Sequence, residues 1–127
     1  MKKNWIDLKI LIVEDTESSI MFYKSAFKKT GAELLIANNG EQAVEIVKTT
    51  PDIDIILMDI NMPIMNGIEA TRIIKSIRPD ISIIIQTAYV LDYSRQESLE
   101  AGCSFFLEKP IRLKALYEAI EEQINTK

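Results

Sequence analysis

Ile55-Ile56-Leu57-Met58-Asp59-Ile60-Asn61-Met62-Pro63 decides the reading of this chain. An apolar run of strand length ends directly on an acid, and the proline that follows holds the next segment extended. The same arrangement recurs twice: Ile10-Leu11-Ile12-Val13 stops at Glu14-Asp15, and Phe105-Phe106-Leu107 stops at Glu108-Lys109-Pro110. Set side by side as parallel strands, these segments bring three acids and a lysine to one sheet edge. Open α/β sheets bind their ligands there, beyond the carboxyl ends of the strands. Carboxylates about 4 Å apart repel by roughly 4 kcal/mol at an effective dielectric near 20, so such a cluster asks for a cation.

Outward from these segments, apolar runs alternate with amphipathic ones, the pattern of five βα units around a parallel sheet covered on both faces. Strands are expected at Lys9 to Val13, Glu33 to Ala37, Ile53 to Met58, Ser82 to Gln86 and Ser104 to Leu107, the third and fourth being most continuous and hence most central. Helices are expected at Glu17 to Lys29, Gly40 to Thr49, Gly67 to Ile77, Tyr93 to Ala101 and Arg112 to Asn125. Asn39-Gly40, Thr50-Pro51, Arg78-Pro79-Asp80 and Gly102 punctuate them. In the last helix Leu113, Leu116, Ile120 and Ile124 form one stripe at helical spacing. The expected architecture is a doubly wound α/β sandwich, one domain over 1–127 with its core at about 8–125.

The 127 residues and 47% hydrophobic content suit one domain with a real core, and the apolar runs are too short to span a bilayer. Met1-Lys2-Lys3-Asn4-Trp5 leads into no signal-type segment, which points to a cytoplasmic protein without direct membrane contact. One cysteine builds no intrachain disulfide, and with no histidine the usual zinc ligand sets cannot form, so any metal is bound by oxygen. A net charge of −4 argues against a broad basic surface for nucleic acid.

Asp59 sits at a strand's mouth, the position of a nucleophile, although a single aspartate there more often caps a helix. Glu14-Asp15 shifts the balance, because adjacent acids are poor caps but good ligands for a hard divalent cation. Mg²⁺ suits them, with carboxylates, waters and a substrate phosphoryl oxygen filling its shell.

Glu14-Asp15, Asp59 with Met62-Pro63 and Asn66-Gly67, Gln86-Thr87-Ala88 and Lys109-Pro110 together resemble the receiver domain of bacterial two-component response regulators, over nearly the whole chain. The resemblance implies a flavodoxin-like (βα)5 fold with strand order 2-1-3-4-5. It implies that Asp59 accepts a phosphoryl group from a phosphohistidine, that Glu14, Asp15, Asp59 and the Asn61 carbonyl serve Mg²⁺, and that Lys109 and Thr87 receive phosphoryl oxygens. It further implies a cis Lys109–Pro110 bond and a switch in which Thr87 moves inward and Phe106 turns. The readout face would be the fourth helix, fifth strand and fifth helix, with Tyr89, Tyr93, Cys103 and Tyr117 as candidate contacts. By the same resemblance, Tyr89 and Asn61 would occupy the family positions that tune the lifetime of the acyl phosphate.

The phosphodonor is expected to be a histidine kinase or histidine phosphotransfer domain, since a chain without histidine cannot carry phosphohistidine itself. The downstream effector stays open. The chain ends just after its final helix, which fits either a free single-domain regulator or the receiver of a hybrid histidine kinase, and the phrasing Gln86-Thr87-Ala88-Tyr89 resembles the latter. Two other classes compete. A haloacid-dehalogenase-like phosphatase needs a general acid/base two residues after its nucleophile, where this chain has Asn61, which exchanges no proton at neutral pH. A degenerate receiver acting only as a binding module has no need of the full set of acids. On this reading the chain is a phosphoacceptor and not an enzyme.

Overall fold

The computed structural model describes residues 3–88 and 94–125. Strands and helices alternate as β1 (Lys9–Val13), α1 (Glu17–Lys28), β2 (Glu33–Ala37), α2 (Gly40–Thr49), β3 (Ile55–Asp59), α3 (Gly67–Ile77), β4 (Ser82–Thr87), α4 (Ser94–Ala101), β5 (Phe105–Glu108) and α5 (Leu113–Asn125). All strand pairs are parallel, in the order β2-β1-β3-β4-β5. This is the doubly wound (βα)5 sheet, and β1 and β3 sit side by side where the strand order reverses.

Burial explains the order. β3 and β4 are buried throughout, as two-sided cover by helices requires, while β2 and β5 at the edges are only partly covered. β3 takes the centre as expected. The fourth strand shares the interior with β1, which pairs on both sides and is buried from Ile10 onward. β3 starts later than the apolar run, because Asp54 turns its carboxylate to the Lys9 N–H at 2.8 Å while its own N–H donates to the Lys9 carbonyl.

Alternate strand residues feed two cores. Ile10, Ile12, Ile55, Leu57 and Ile84 pack with Tyr23, Ala26 and Phe27 of α1 and Leu116, Ala119 and Ile120 of α5. Leu11, Val13, Ile56, Met58, Ile83, Ile85 and Phe106 pack against α2, α3 and α4 on the opposite face. Leu113, the first residue of α5, leaves the apolar stripe expected for that helix and is exposed.

The helix starts are set by side chains. Asn39 Oδ1 accepts from the Gln42 N–H at 2.8 Å and Asn66 Oδ1 from the Glu69 N–H at 2.9 Å, so each satisfies one of the backbone donors a helix start leaves unpaired. Past α4 the chain turns at Gly102 with φ +108°, a conformation that disfavours any side chain. No described helix is long and apolar enough to cross a membrane.

Candidate functional site

Because β1, β3, β4 and β5 lie in register, their C-terminal ends deliver side chains to one place. Asp59 closes β3, Thr87 closes β4, Glu14 follows β1 and Lys109 follows β5. Glu14, Asp15 and Asp59 each offer a carboxylate oxygen, and these oxygens lie within 4.8 Å of one another. Glu14 is fully buried, Asp59 is 6% exposed and Asp15 faces solvent.

Lys109 reaches in from β5. Its Nζ lies 2.8 Å from Glu14 Oε2 and 3.9 Å from Asp59 Oδ2. Its backbone N–H donates to the Thr87 carbonyl at 2.8 Å, and the Lys109–Pro110 peptide bond is cis. Thr87 is buried, and its Oγ1 accepts from the Asn61 amide at 3.4 Å. Phe106 is buried on β5 with the Arg95 guanidinium carbon 5.1 Å from its ring centre, within reach of a cation–π contact.

The charges do not balance. Burial pushes the Asp59 carboxyl up to about 6, the neighbouring Glu14 charge adds to this, and Lys109 and the Ile60 N–H pull the other way. The single lysine sits closer to Glu14, so Asp59 lacks a full counter-charge. An all-oxygen donor set with uncompensated negative charge fits a hard divalent cation, and Glu14, Asp15 and Asp59 are the side chains able to hold one.

Residues 10–121 match the response regulator receiver domain family. The chain belongs to that family. It is thus a receiver domain of two-component signalling, with the five-stranded parallel fold of CheY-like receivers. It is 36% identical to hybrid signal transduction histidine kinase I of Dictyostelium discoideum, over 94% of this chain and 7% of that protein. A CheY-like receiver domain from Methanospirillum hungatei superimposes with a TM-score of 0.88 at 27% identity, over 94% of each chain. The receiver domain of a sensor histidine kinase from Pseudomonas aeruginosa, solved with a magnesium ion coordinated in its active-site cleft, reaches 0.85 at 29% identity, over 93% of this chain and 98% of that one. The chain spans from 7% to 16% of the length of the first curated relatives it matches.

Two residues named for the readout face are placed elsewhere. Cys103 is buried in the core beneath α3 and α4, because the chain turns inward after Gly102 to enter β5. Tyr117 packs edge-on to Trp5 and gives its hydroxyl to the Ala26 carbonyl, so it belongs to the seam between α1 and α5. Tyr89 and Tyr93 lie outside the described residues.

The structure also adds two residues to which sequence reasoning assigned no role. Tyr23 of α1 is buried under the acids and donates its hydroxyl to Gln86 Oε1 of β4. Its phenol is pushed well above the usual range by burial, then by the charges of Glu14 and Asp59. The available signal was Gln86 itself, an amide closing the apolar run Ile83-Ile84-Ile85.

Proposed function

We propose that this receiver takes a phosphoryl group on Asp59 from a phosphohistidine and passes the signal through a change at Thr87 and Phe106. The observation that carries this reading is the gathering of three carboxylates within 4.8 Å beside one ammonium at the sheet's switch point. Glu14, Asp15, Asp59 and the Asn61 carbonyl would hold Mg²⁺, which when bound neutralises oxygens of the transferring group and aligns it with the nucleophile. The magnesium-bound receiver from Pseudomonas aeruginosa supports that assignment.

Each protein group then has a task. Asp59 Oδ attacks phosphorus in line, and the donor's bond to phosphorus breaks as the aspartyl phosphate forms. Lys109, held by Glu14, presents its ammonium to the incoming oxygens, and Thr87 offers a hydroxyl from β4. Inward movement of Thr87 would draw the Asn61 contact with it and open space for Phe106. Because Phe106 has no hydroxyl, that switch works through packing and through its contact with Arg95.

Partners on this reading are a histidine kinase or histidine phosphotransfer domain and an effector that reads α4, β5 and α5. The setting is cytoplasmic, and the chain acts as a phosphoacceptor that assists its own transfer, not as an enzyme with a separate substrate. Residues 1–127 act as one receiver, either alone or joined to a hybrid kinase, the class of two relatives from Dictyostelium discoideum. Asn61 favours this over hydrolase chemistry, which needs a proton-exchanging group at that position.

The test is incubation with acetyl phosphate, with and without Mg²⁺, read by intact mass. A single added phosphate that requires Mg²⁺ and vanishes in Asp59→Asn is expected. Equal labelling of that variant would overturn the assignment.

A further inference from the structure

We infer that Gln86, oriented by Tyr23, is a positioning residue for phosphoryl transfer, its buried amide N–H serving as the neutral donor that holds the non-attacking oxygen of Asp59. The inference rests on the reading of Asp59 as phosphoacceptor and extends it to a pair of residues on the floor of the site.

Four observations carry it. Gln86 is fully buried and its Nε2 has no hydrogen-bond partner among the described residues, while its Oε1 is taken by the Tyr23 hydroxyl. A buried amide donor left unmade is unfavourable enough that native structures rarely keep one without a use. Gln86 stands directly opposite Asp59 in the parallel ladder. Two residues beyond Leu57 and Ile84 respectively, Asp59 and Gln86 fall on the face that those side chains give to α1 and α5.

The acceptors on that face are the two carboxylates whose charges act on Tyr23, those of Glu14 and Asp59. Both oxygens of Glu14 are engaged, Oε1 by the Thr16 N–H at 3.3 Å and Oε2 by Lys109 at 2.8 Å. Asp59 has the Ile60 N–H and a lysine no nearer than 3.9 Å. The spare donor and the under-satisfied acceptor therefore lie on the same face of neighbouring strands, at paired positions of the β3–β4 ladder and without a hydrogen bond between them in this structure. Tyr23 fixes which end of the amide points toward the acids, because its hydroxyl donates to the oxygen and leaves the nitrogen for Asp59.

The transfer balances without a proton. One carboxylate oxygen of Asp59 forms the bond to phosphorus, the bond from phosphorus to the donor's oxygen or nitrogen breaks, and the leaving group departs with that electron pair. The second oxygen of Asp59 becomes the carbonyl of the acyl phosphate and, on this inference, takes the Gln86 N–H as the site closes around the transferring group. Holding it fixes the plane of the carboxylate, and small errors of aim at a reacting atom cost large factors in rate.

The experiment follows phosphorylation by acetyl phosphate across Mg²⁺ and donor concentrations in wild type, Gln86→Met, Tyr23→Phe and the double variant. Expected is a maximal rate about tenfold lower in Gln86→Met, with half-saturating Mg²⁺ and acetyl phosphate unchanged, and a smaller loss in Tyr23→Phe that adds nothing in the double variant. In parallel, the Gln86 side-chain amide resonances of wild type should shift when beryllofluoride and Mg²⁺ are added, a readout that needs no variant to fold. A folded Gln86→Met with a maximal rate within twofold of wild type, additive losses in the double variant, or amide resonances that stay in place would each overturn the inference. A wild type that takes no phosphate would overturn the Asp59 reading itself.

Discussion

Gly67 stands so close behind Asp59 that a Cβ on the glycine would lie 2.0 Å from the Asp59 carbonyl oxygen. The Gly67 N–H donates to the Ile60 carbonyl at 3.0 Å, so the first turn of α3 is pinned to the end of the strand that carries the nucleophile. The obstacle is backbone, which cannot swing aside as a long side chain would. Gly67→Ala should lower stability by about 1–3 kcal/mol, the usual range for overpacking, and should slow phosphorylation by displacing Asp59. Urea unfolding with an unchanged midpoint would show that the β3–α3 connection yields freely.

Lys109→Met keeps most of the side-chain volume but leaves the fully buried Glu14 without its 2.8 Å partner. Hydrogen bonds to charged groups contribute about 1.5–3 kcal/mol, so a loss of roughly 2 kcal/mol is expected in metal-free buffer. Mg²⁺ should recover part of it, because a bound cation supplies the missing positive charge. At ten times its Kd the ion stabilises any folded receiver by about 1.4 kcal/mol, visible as a rise of a few degrees in Tm. Thermal unfolding with and without Mg²⁺ checks both halves, and a variant as stable as wild type without metal would deny the ion pair its structural part.

The parts of this site that were legible in the sequence are those that punctuate a strand. Glu14, Asp59 and Lys109 each follow an apolar run, and a change from apolar to charged marks a strand end whatever the tertiary context. Gln86 carried no such mark, since nothing in a two-residue period says that its amide meets a tyrosine on α1. Cys103 and Tyr117 were assigned to the wrong surface because their exposure depends on α3 and α4 in one case and on Trp5 and Ala26 in the other. Run lengths alone put β3 and β4 at the centre and were silent on β1, whereas the family resemblance implied the order 2-1-3-4-5 that the sheet has.

Ile64 offers a stability gain. It is 76% exposed in the β3–α3 connection and adopts φ +70°, the left-handed region that β-branched residues avoid most strongly. Asparagine tolerates that conformation, and little apolar burial would be lost. Ile64→Asn should raise stability by about 1 kcal/mol, measured by urea unfolding, while Ile64→Val, equally branched, should gain nothing. Destabilisation by the asparagine would mean that the isoleucine makes contacts which outweigh its backbone strain.

The electrostatics of Asp59 make a prediction with a definite sign. Its carboxyl titrates near 6 in the folded domain because burial and Glu14 disfavour its charge, above the ordinary value of 3.8. The folded state therefore keeps this proton to higher pH than the unfolded chain does. Well below pH 3.8 the group is protonated in both states and has no effect. Between about 4 and 6 the unfolded chain ionises first, so stability falls as pH rises, and above 6 the full penalty, on the order of 2 kcal/mol, remains. Asp59→Asn removes that titration while keeping the shape of the side chain. Without Mg²⁺ the variant should thus be more stable than wild type at pH 7.5 and show only a small part of that advantage at pH 4, the difference isolating this one group from the other carboxylates. Added Mg²⁺ should close the gap at pH 7.5 from the wild-type side, since a cation offsets the charge that asparagine lacks. Urea unfolding of both proteins at the two pH values decides it: a variant less stable than wild type at pH 7.5 without metal would show that the Asp59 charge is already compensated in the folded domain.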